Sequence, residues 1–259
     1  MKNPADIYLI GSTNFRDIRS SFAHAQIALT PQKIFRSGDL YNLSERDLDV
    51  FEKLNIGLIY DLRSEIERTR RPSRFLAQES QQLLFGNVNV DLRSGQGSLL
   101  NILREDPTAA GAQRLMLQIY QVLPHALGTT LGDFLHQLVE ASGPALVHCT
   151  AGKDRTGFVC ACLLRLIETD PADILADYLR TDEFLDKEHM AAEIGDLFFH
   201  LVGVKVPRDA LDVINGVHTD YLLAAFDAID EHFGSFERYL RSIGVPTELS
   251  DRIRRHLAE

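Results

Sequence analysis

Cys149 and Arg155 stand with five residues between them in a segment whose residue types suit nucleophilic attack on an anion. The segment reads His-Cys-Thr-Ala-Gly-Lys-Asp-Arg-Thr-Gly from His148, and it directly follows the apolar run Ala145-Leu146-Val147. A buried strand, a glycine-bearing turn and a helix start together form an anion cradle, in which backbone N–H groups and the helix dipole favour negative charge. A thiol at the floor of such a cradle is stabilised as the thiolate, which is the nucleophilic form.

The loop also supplies the contacts that an oxyanion substrate needs. Arg155 can hold two oxygens of a tetrahedral anion in its planar fork, which a lysine cannot reproduce. Thr156 can donate its hydroxyl to the sulfur when the thiolate leaves. We therefore predict Cys149, Arg155 and Thr156 as catalytic residues. The predicted substrate-binding residues are Thr150, Ala151, Gly152, Lys153, Asp154 and Arg155.

Two other residues of the loop have two interpretations each. His148 is expected to point away from the substrate and to support the loop by hydrogen bonding, although a histidine at a strand end can also be a core residue. Lys153 provides a second cation for substrates with more than one phosphate group, or it points to solvent.

The pattern His-Cys-x5-Arg-Thr-Gly resembles the signature of the protein tyrosine phosphatase superfamily. The stretches that begin at Asn14 (Asn-Phe-Arg-Asp-Ile), Phe35 (Phe-Arg-Ser-Gly-Asp-Leu) and Asp61 (Asp-Leu-Arg-Ser) resemble an atypical branch of bacterial and fungal phosphatases. Members of that branch are described as dual- or triple-specific, for phosphotyrosine, phosphoserine or phosphothreonine, and phosphoinositides. The resemblance implies a phosphomonoesterase that acts through a phosphocysteine intermediate, with phosphorylated proteins or phosphoinositides as substrates.

The general acid has two candidates. The superfamily usually places an aspartic acid in a Trp-Pro-Asp or Pro-Asp loop, and this chain contains no tryptophan and no Pro-Asp dipeptide. The related branch has an aspartic acid inside the signature, which implies Asp154. Asp61 is the second candidate because it ends a predicted strand, where catalytic groups of open sheets gather; its structural alternatives are an ion pair with Arg63 or a helix cap. We favour Asp154.

The elements around this loop predict an α/β fold. Short apolar runs indicate the strands of a central, mostly parallel sheet at 33–35, 56–62, 83–90 and 145–149. Helical periodicity and capping signals predict flanking helices at 109–123, ended by Pro124, and at 127–140, 158–167 and 171–178, with another short helix after Ser44. An additional C-terminal helical layer follows at 219–233, 236–243 and 247–257. We expect one phosphatase domain over residues 1–259.

Two segments invite functional interpretations. Residues 91–107, with glycine, serine and asparagine, suggest a mobile loop. The related branch carries a helical lid over its active site, and residues 181–216 are the best match here; a plain amphipathic core layer is the alternative. The arginines at 68, 70, 71 and 74 can attract acidic substrates, although a solvated charge run explains them better.

Composition excludes several other classes. The formal net charge of −10 argues against a general nucleic-acid binder. We expect no secretory signal, no integral membrane association and no cofactor. We also expect no metal, because the histidines lack the spacing of metal ligands. A catalytic thiolate needs reducing surroundings, so we expect a cytoplasmic protein. Export by a route that uses no signal peptide is the alternative. The rival functions are a rhodanese-like sulfurtransferase and a pseudo-phosphatase that only binds phosphorylated partners.

Overall fold

A central five-stranded sheet organises the computed structural model, which describes residues 7–22, 27–75, 81–86 and 99–259. The spatial order of the strands is β1-β2-β5-β3-β4, and every pairing is parallel except that of β1 with β2. The strands are β1 (Arg16–Asp17), β2 (Ile34–Ser37), β3 (Leu58–Asp61), β4 (Gln82–Phe85) and β5 (Ala145–His148). The predicted mostly parallel sheet is confirmed, with β1 as an edge strand that the sequence analysis did not predict.

Helices cover both faces of this sheet, as an α/β fold requires. They are α1 (Glu45–Lys53), α2 (Glu65–Arg70), α3 (Leu100–Glu105), α4 (Ala109–Ala126), α5 (Gly128–Leu138), α6 (Asp154–Leu166), α7 (Pro171–Arg180), α8 (Lys187–Val202), α9 (Arg208–Asn215), α10 (Thr219–Phe233), α11 (Phe236–Ser242) and α12 (Thr247–Ala258). Short 3-10 turns occupy Ile18–Phe22 and Thr181–Glu183.

The strand residues alternate between two apolar cores, one on each face of the sheet. Leu58, Tyr60 and Val147 belong to the larger core, which packs beneath α4, α5, α6 and the C-terminal helices. Ile59 and Leu146 belong to the smaller core on the other face, together with Phe51 of α1 and its neighbours. Period-two alternation in strands that are buried on both sides explains their continuous apolar character.

Two of the predicted boundaries are wrong. Pro124 does not end its helix, because α4 continues to Ala126. A proline this close to a helix end removes one backbone hydrogen bond only, and Pro124 is buried in the core, where its carbonyl accepts a 2.9 Å bond from the Tyr239 hydroxyl. The predicted mobile loop at 91–107 is also partly wrong, since α3 forms within it around the fully buried Leu103, while residues 91–98 lie outside the described part of the chain.

Other boundaries differ by a few residues. The strands at 56–62 and 145–149 are shorter than predicted, and β4 is described only to Phe85, so residues 87–90 lie outside the described part of the chain. The predicted helix at 158–167 begins four residues earlier, at Asp154, which places the end of the signature on the helix itself. Across the described residues, no helix combines the length and apolar character needed to cross a membrane.

Candidate active site

The loop from Cys149 to Lys153 joins the carboxyl end of β5 to the first turn of α6. Cys149 is buried directly after the strand, and Asp154 is the first residue of the helix. Gly152 has φ +68, and a Cβ atom there would lie 2.5 Å from backbone atoms of Ser37. Glycine is therefore required at this position both by the left-handed backbone and by the close approach of β2.

The scaffold binds the loop through its carbonyl groups. The carbonyl of Gly152 accepts hydrogen bonds from Asn14 Nδ2 at 2.6 Å and from Arg36 Nη2 at 2.9 Å. The carbonyl of Thr150 accepts from the backbone N–H of Asp39 at 2.9 Å. Because a trans peptide unit points its N–H away from its C=O, the N–H groups that follow these two carbonyls point away from the scaffold. This arrangement leaves them available to an anion.

A fully buried ion cluster stands behind these contacts. Asp177 of α7 lies 3.2 Å from Arg16 Nη2 and 2.7 Å from Arg36 Nη1, and all three side chains are excluded from solvent. Burial opposes ionisation of Asp177, but the attraction of the two arginines outweighs it and lowers the pKa of the carboxyl group. We call Asn14, Arg16, Arg36 and Asp177 the back wall. Through these contacts Arg16 connects the edge strand β1 to α7.

A second carboxylate holds Arg155 on the other side of the loop. Glu67 Oε1 and Oε2 accept from Arg155 Nη2 at 2.7 Å and Nη1 at 2.8 Å, in a bidentate pair. The Thr150 hydroxyl also donates to Glu67, and the Ser64 backbone N–H donates to Oε2 at 2.8 Å. Burial opposes ionisation, but the bonds from Arg155 dominate and hold the pKa of Glu67 well below its ordinary value. We call Glu67 and Arg155 the front pair.

Sequence reasoning missed both carboxylates. Glu67 stands three residues after Ser64 and completes a capping box at the start of α2, so a signal for a helix start was present. That signal gives no information about the second task of the same carboxylate, which is to orient Arg155. Asp177 lies inside an amphipathic helix and gives no local signal, since its arginine partners are far away along the chain.

The two candidate acids differ in surroundings. Asp61 is buried and accepts from Arg63 Nε at 2.9 Å and Nη2 at 2.7 Å. Burial raises the pKa of Asp61, but this is outweighed by His148 when its ring is protonated and by the charge and hydrogen bonds of Arg63. The net shift is downward, and near neutral pH the ion pair with Arg63 keeps the group ionised. The ion pair with Arg63, which the sequence offered as the structural alternative to an acid role, is therefore present. A carboxylate held ionised has no proton to donate, which argues against Asp61 as the general acid.

His148 is buried beneath the loop, with Nε2 3.7 Å from Asp61 Oδ2. Within the described residues neither ring nitrogen makes a hydrogen bond of normal geometry, so the predicted support through hydrogen bonds is wrong. Burial lowers the pKa of His148 to about 4, because the charged form loses its hydration. The ring is therefore neutral near pH 7 and contributes packing under the nucleophile.

Asp154 and Lys153 meet at the start of α6. The side chain of Asp154 is 31% exposed, and its Oδ1 accepts from the Tyr120 hydroxyl at 2.8 Å and lies 3.1 Å from Lys153 Nζ. Lys153 does not point to solvent: its side chain is 3% exposed, and Nζ donates to the carbonyls of Ile214 at 2.6 Å and Gly216 at 3.1 Å. Its contact with substrate stays a prediction.

The last two residues of the signature are buried within α6. The Thr156 hydroxyl has no hydrogen-bond partner among the residues that the structure describes, so it remains available to a sulfur leaving group. A Cβ at Gly157 would lie 3.1 Å from the Tyr178 ring, so the absence of a side chain allows α7 to pack closely against α6.

The segment 181–216 lies beside the loop at two points. Its last helix, α9, ends at the carbonyls that bind Lys153. In α8, Glu193 lies 3.4 Å from Arg71, which also lies 3.1 Å from Asp39, the residue that binds the Thr150 carbonyl. Phe198 of α8 is buried, whereas Leu197 and Phe199 are exposed.

The basic cluster is engaged by its neighbours. Arg68 lies over the Phe85 ring and donates to the carbonyl of Arg63, and Arg74 pairs with Glu45. Arg71 binds Asp39, as described above. Arg68, Arg71 and Arg74 thus contact neighbouring groups, which differs from the solvated charge run that the sequence favoured.

Comparison with known proteins identifies relatives along nearly the whole chain. A model of the tyrosine phosphatase family matches residues 7–259. The triple specificity protein phosphatase PtpB of Mycobacterium tuberculosis is 29% identical, over 95% of this chain and 96% of its own length. A tyrosine-protein phosphatase of Nostoc commune is 27% identical over 90% of this chain and 76% of its own. The solved structure of TpbA from P. aeruginosa is 18% identical, covering 77% of this chain and 91% of its own with a TM-score of 0.33.

Proposed function

We propose, from the premise that this chain belongs to the tyrosine phosphatase family and is a cysteine-dependent phosphatase, that Asp154 is its general acid and that it accepts several classes of phosphomonoester. The match to the tyrosine phosphatase family confirms the resemblance drawn from the signature, and it leaves the sulfurtransferase alternative without support. The observation that carries the proposal is the contrast between Asp61, locked to Arg63, and Asp154, partly exposed at the mouth of the loop.

The proposed reaction has two steps. Cys149 attacks phosphorus in line, the bond to the leaving oxygen breaks, and Asp154 gives that oxygen its proton. Water then attacks the phosphocysteine, and the thiolate leaves with the Thr156 hydroxyl donating to the sulfur. Negative charge on the transferring group is met by the loop N–H groups of Thr150 to Arg155 and by the Arg155 guanidinium.

Arg155 keeps donors for the substrate although Glu67 holds both of its terminal nitrogens. Its bond to the Thr150 hydroxyl is long, at 3.4 Å, so a phosphate oxygen can replace that partner. The Nε–H is the fifth donor of a guanidinium, and it lies on the same edge as Nη2, the nitrogen that makes this long bond. Glu67 thereby orients the fork before the substrate arrives, which reduces the reorganisation that binding requires.

An Asp154→Asn variant tests the acid assignment. We expect kcat/KM for phenyl phosphate, a poor leaving group, to fall by about 10²-fold or more, because the leaving oxygen departs without a proton. An activated ester such as 2,4-dinitrophenyl phosphate should lose far less. Equal losses on both substrates would mean that Asp154 is not the acid, and Asp61→Asn tested in parallel would show whether the second candidate behaves differently.

The substrate range is proposed from the loop and from the relatives. PtpB carries the name of a triple specificity phosphatase. The loop of this chain has Asp154 inside the signature, as members of the resembled branch do. We propose phosphotyrosine as the first substrate, with phosphoserine, phosphothreonine and phosphoinositides as further ones. Turnover of matched phosphopeptides and soluble phosphoinositide head groups, with Cys149→Ser as the inactive control, tests this range; activity on phosphotyrosine alone would restrict it.

We also propose that residues 181–216 form a lid on a single domain. The two contacts with Lys153 and Arg71 place this segment against the neighbours of the loop, which supports the proposal. Vanadate binding in the loop should change the rate at which a protease cleaves between α8 and α9. The same cleavage rate with and without vanadate, in a protein that still binds vanadate, would contradict a lid.

The proposed compartment is a reducing one such as the cytoplasm. All three cysteines are free thiols, and burial raises the pKa of Cys160 to about 12, so that residue packs in α6 as a neutral thiol.

A further inference from the structure

A chain of buried hydroxyl groups leads from the core to Asp154. Tyr120 of α4 is fully buried, and its hydroxyl lies 2.8 Å from Asp154 Oδ1 and 2.7 Å from the hydroxyl of Tyr178 in α7. The two tyrosine rings meet edge to face, with their centroids 6.1 Å apart. Three helices, α4, α6 and α7, therefore converge on one carboxylate oxygen.

The direction of the hydrogen bonds in this chain is fixed by chemistry. Burial and the nearby Asp154 raise the pKa of Tyr120 well above its ordinary value, and burial raises that of Tyr178 as well. Both hydroxyl groups keep their protons at any working pH. The Tyr120 hydroxyl uses its proton to donate to Asp154, so in the bond between the two tyrosines Tyr178 must donate to the Tyr120 oxygen. The two hydrogen bonds strengthen each other.

Among the described residues, Tyr120 and Lys153 both face the same oxygen of Asp154. Tyr120 donates to Oδ1, and the Lys153 ammonium group lies 3.1 Å from that atom as an ion pair. A neutral carboxyl group carries one proton, and the oxygen that accepts from Tyr120 and faces a cation is not the one that holds it. The proton is therefore placed on Oδ2. The terminal torsion of an aspartate is broad, so a carboxyl group without these donors would rotate between orientations.

Among the residues that the structure describes, no side chain makes a hydrogen bond or ion pair with Asp154 Oδ2. Arg155 follows Asp154 along the helix, but its terminal nitrogens bind Glu67 and Leu62. Tyr221 of α10 packs its ring against Tyr120 at 5.5 Å, and burial raises its pKa to about 12, so it too stays neutral.

From this geometry we propose that Tyr120, supported by Tyr178, is the positioning residue of the general acid. It holds Asp154 by Oδ1 so that the proton is delivered from Oδ2 to the leaving oxygen of the substrate. This inference rests on the acid role proposed for Asp154. It adds a residue from α4, far from the signature in sequence, to the catalytic apparatus.

The test compares Tyr120→Phe with Tyr239→Phe on two aryl phosphates. Tyr239 is the matched control because its hydroxyl also donates a hydrogen bond inside the core, to the carbonyl of Pro124 at 2.9 Å, and none of the contacts described for the loop involves it. For Tyr120→Phe we expect kcat/KM on phenyl phosphate to fall about tenfold, since a misplaced proton donor loses part of its effect. On 2,4-dinitrophenyl phosphate the loss should stay below about twofold, because that leaving group needs little protonation.

The pH profile provides a readout that a merely structural role would not move. Without the Tyr120 donor the ionised carboxylate is less stable, so the basic limb of kcat/KM should move to higher pH. In an Asp154→Asn background, Tyr120→Phe should add no further dependence on the leaving group. Tyr178→Phe weakens the same chain from further away, and it should show a smaller loss in the same direction should Tyr120→Phe fold poorly.

The outcomes separate this inference from the acid assignment. If Asp154→Asn shows no dependence on the leaving group, the acid assignment fails and the inference fails with it. If Asp154→Asn discriminates but Tyr120→Phe and Tyr178→Phe behave like Tyr239→Phe, or lose equally on both substrates, only the inference is overturned.

Discussion

The back wall and the front pair both use a carboxylate to hold arginine beside the same loop, but they differ in burial. Asp177 of the back wall is 2% exposed and binds Arg16 and Arg36 inside the core. Glu67 of the front pair is 32% exposed and binds Arg155 at the edge of the site. A buried charge that loses its partner has no water to replace it, whereas a charge at the edge is partly solvated.

Because of this difference in burial, we expect the loss of these two similar contacts to have different effects. The back wall binds the carbonyl of Gly152 and supports the loop from within the core. The front pair orients Arg155, the guanidinium that we propose contacts the substrate. We therefore expect damage to the back wall to appear in stability and damage to the front pair to appear in turnover.

The largest expected effect is on the back wall. Asp177→Ala leaves two buried arginines without their carboxylate, and it should lower the free energy of unfolding by about 3–5 kcal/mol. Urea denaturation measures this change. Asp212→Ala is the matched control, since Asp212 pairs with Arg208 at the surface, with both side chains 49% exposed, and should change stability by less than about 1 kcal/mol. Similar losses in the two variants would remove the distinction drawn from burial.

The front pair should respond in turnover. Glu67→Gln removes the charge that orients Arg155, and we expect kcat/KM for p-nitrophenyl phosphate to fall by about 10²-fold, close to 3 kcal/mol of transition-state stabilisation. The free energy of unfolding should change much less. Glu140→Gln, which alters a carboxylate that is 60% exposed and pairs with Arg252, should leave turnover unchanged. A Glu67→Gln enzyme with normal turnover and lost stability would reverse the proposed assignment.

Lowering the pH should have a smaller effect on stability, and it tests His148, beneath the loop, separately from the back wall and the front pair. Folded His148 stays neutral down to about pH 4, while an unfolded histidine takes up a proton below about pH 6.5. The unfolded state thus binds more protons in this window, and stability should fall as the pH drops from 6.5 to 4, by at most about 3 kcal/mol. The pKa values of Asp177 and Glu67 are lowered, so both carboxylates stay ionised across this window.

Urea denaturation of His148→Gln across this range checks the effect. The variant should show a flatter dependence of unfolding free energy on pH between 4 and 6.5, and the same slope as the unmodified protein above that range. An unchanged slope would mean that His148 is protonated in the folded protein.

The sequence by itself determined the chemistry of the loop and the class of fold. Apolar runs and helical periodicity depend on neighbours within a few residues, so the sheet and most helices were predicted with boundaries close to the observed ones. The signature from His148 to Gly157 is a local motif, and its glycine and arginine have tasks that the spacing itself reveals. The capping signals at Ser44 and Pro171 correspond to the observed starts of α1 and α7.

Only the tertiary structure decided which residues support that loop. Glu67, Asp177 and Tyr120 contact it from α2, α7 and α4, and no local pattern reveals a partner that is distant in the chain. The same reason explains why Lys153 was expected at the substrate or in solvent, when it is bound to the end of α9. It also distinguishes Asp61 from Asp154, because folding places different neighbours around two aspartates of identical chemistry.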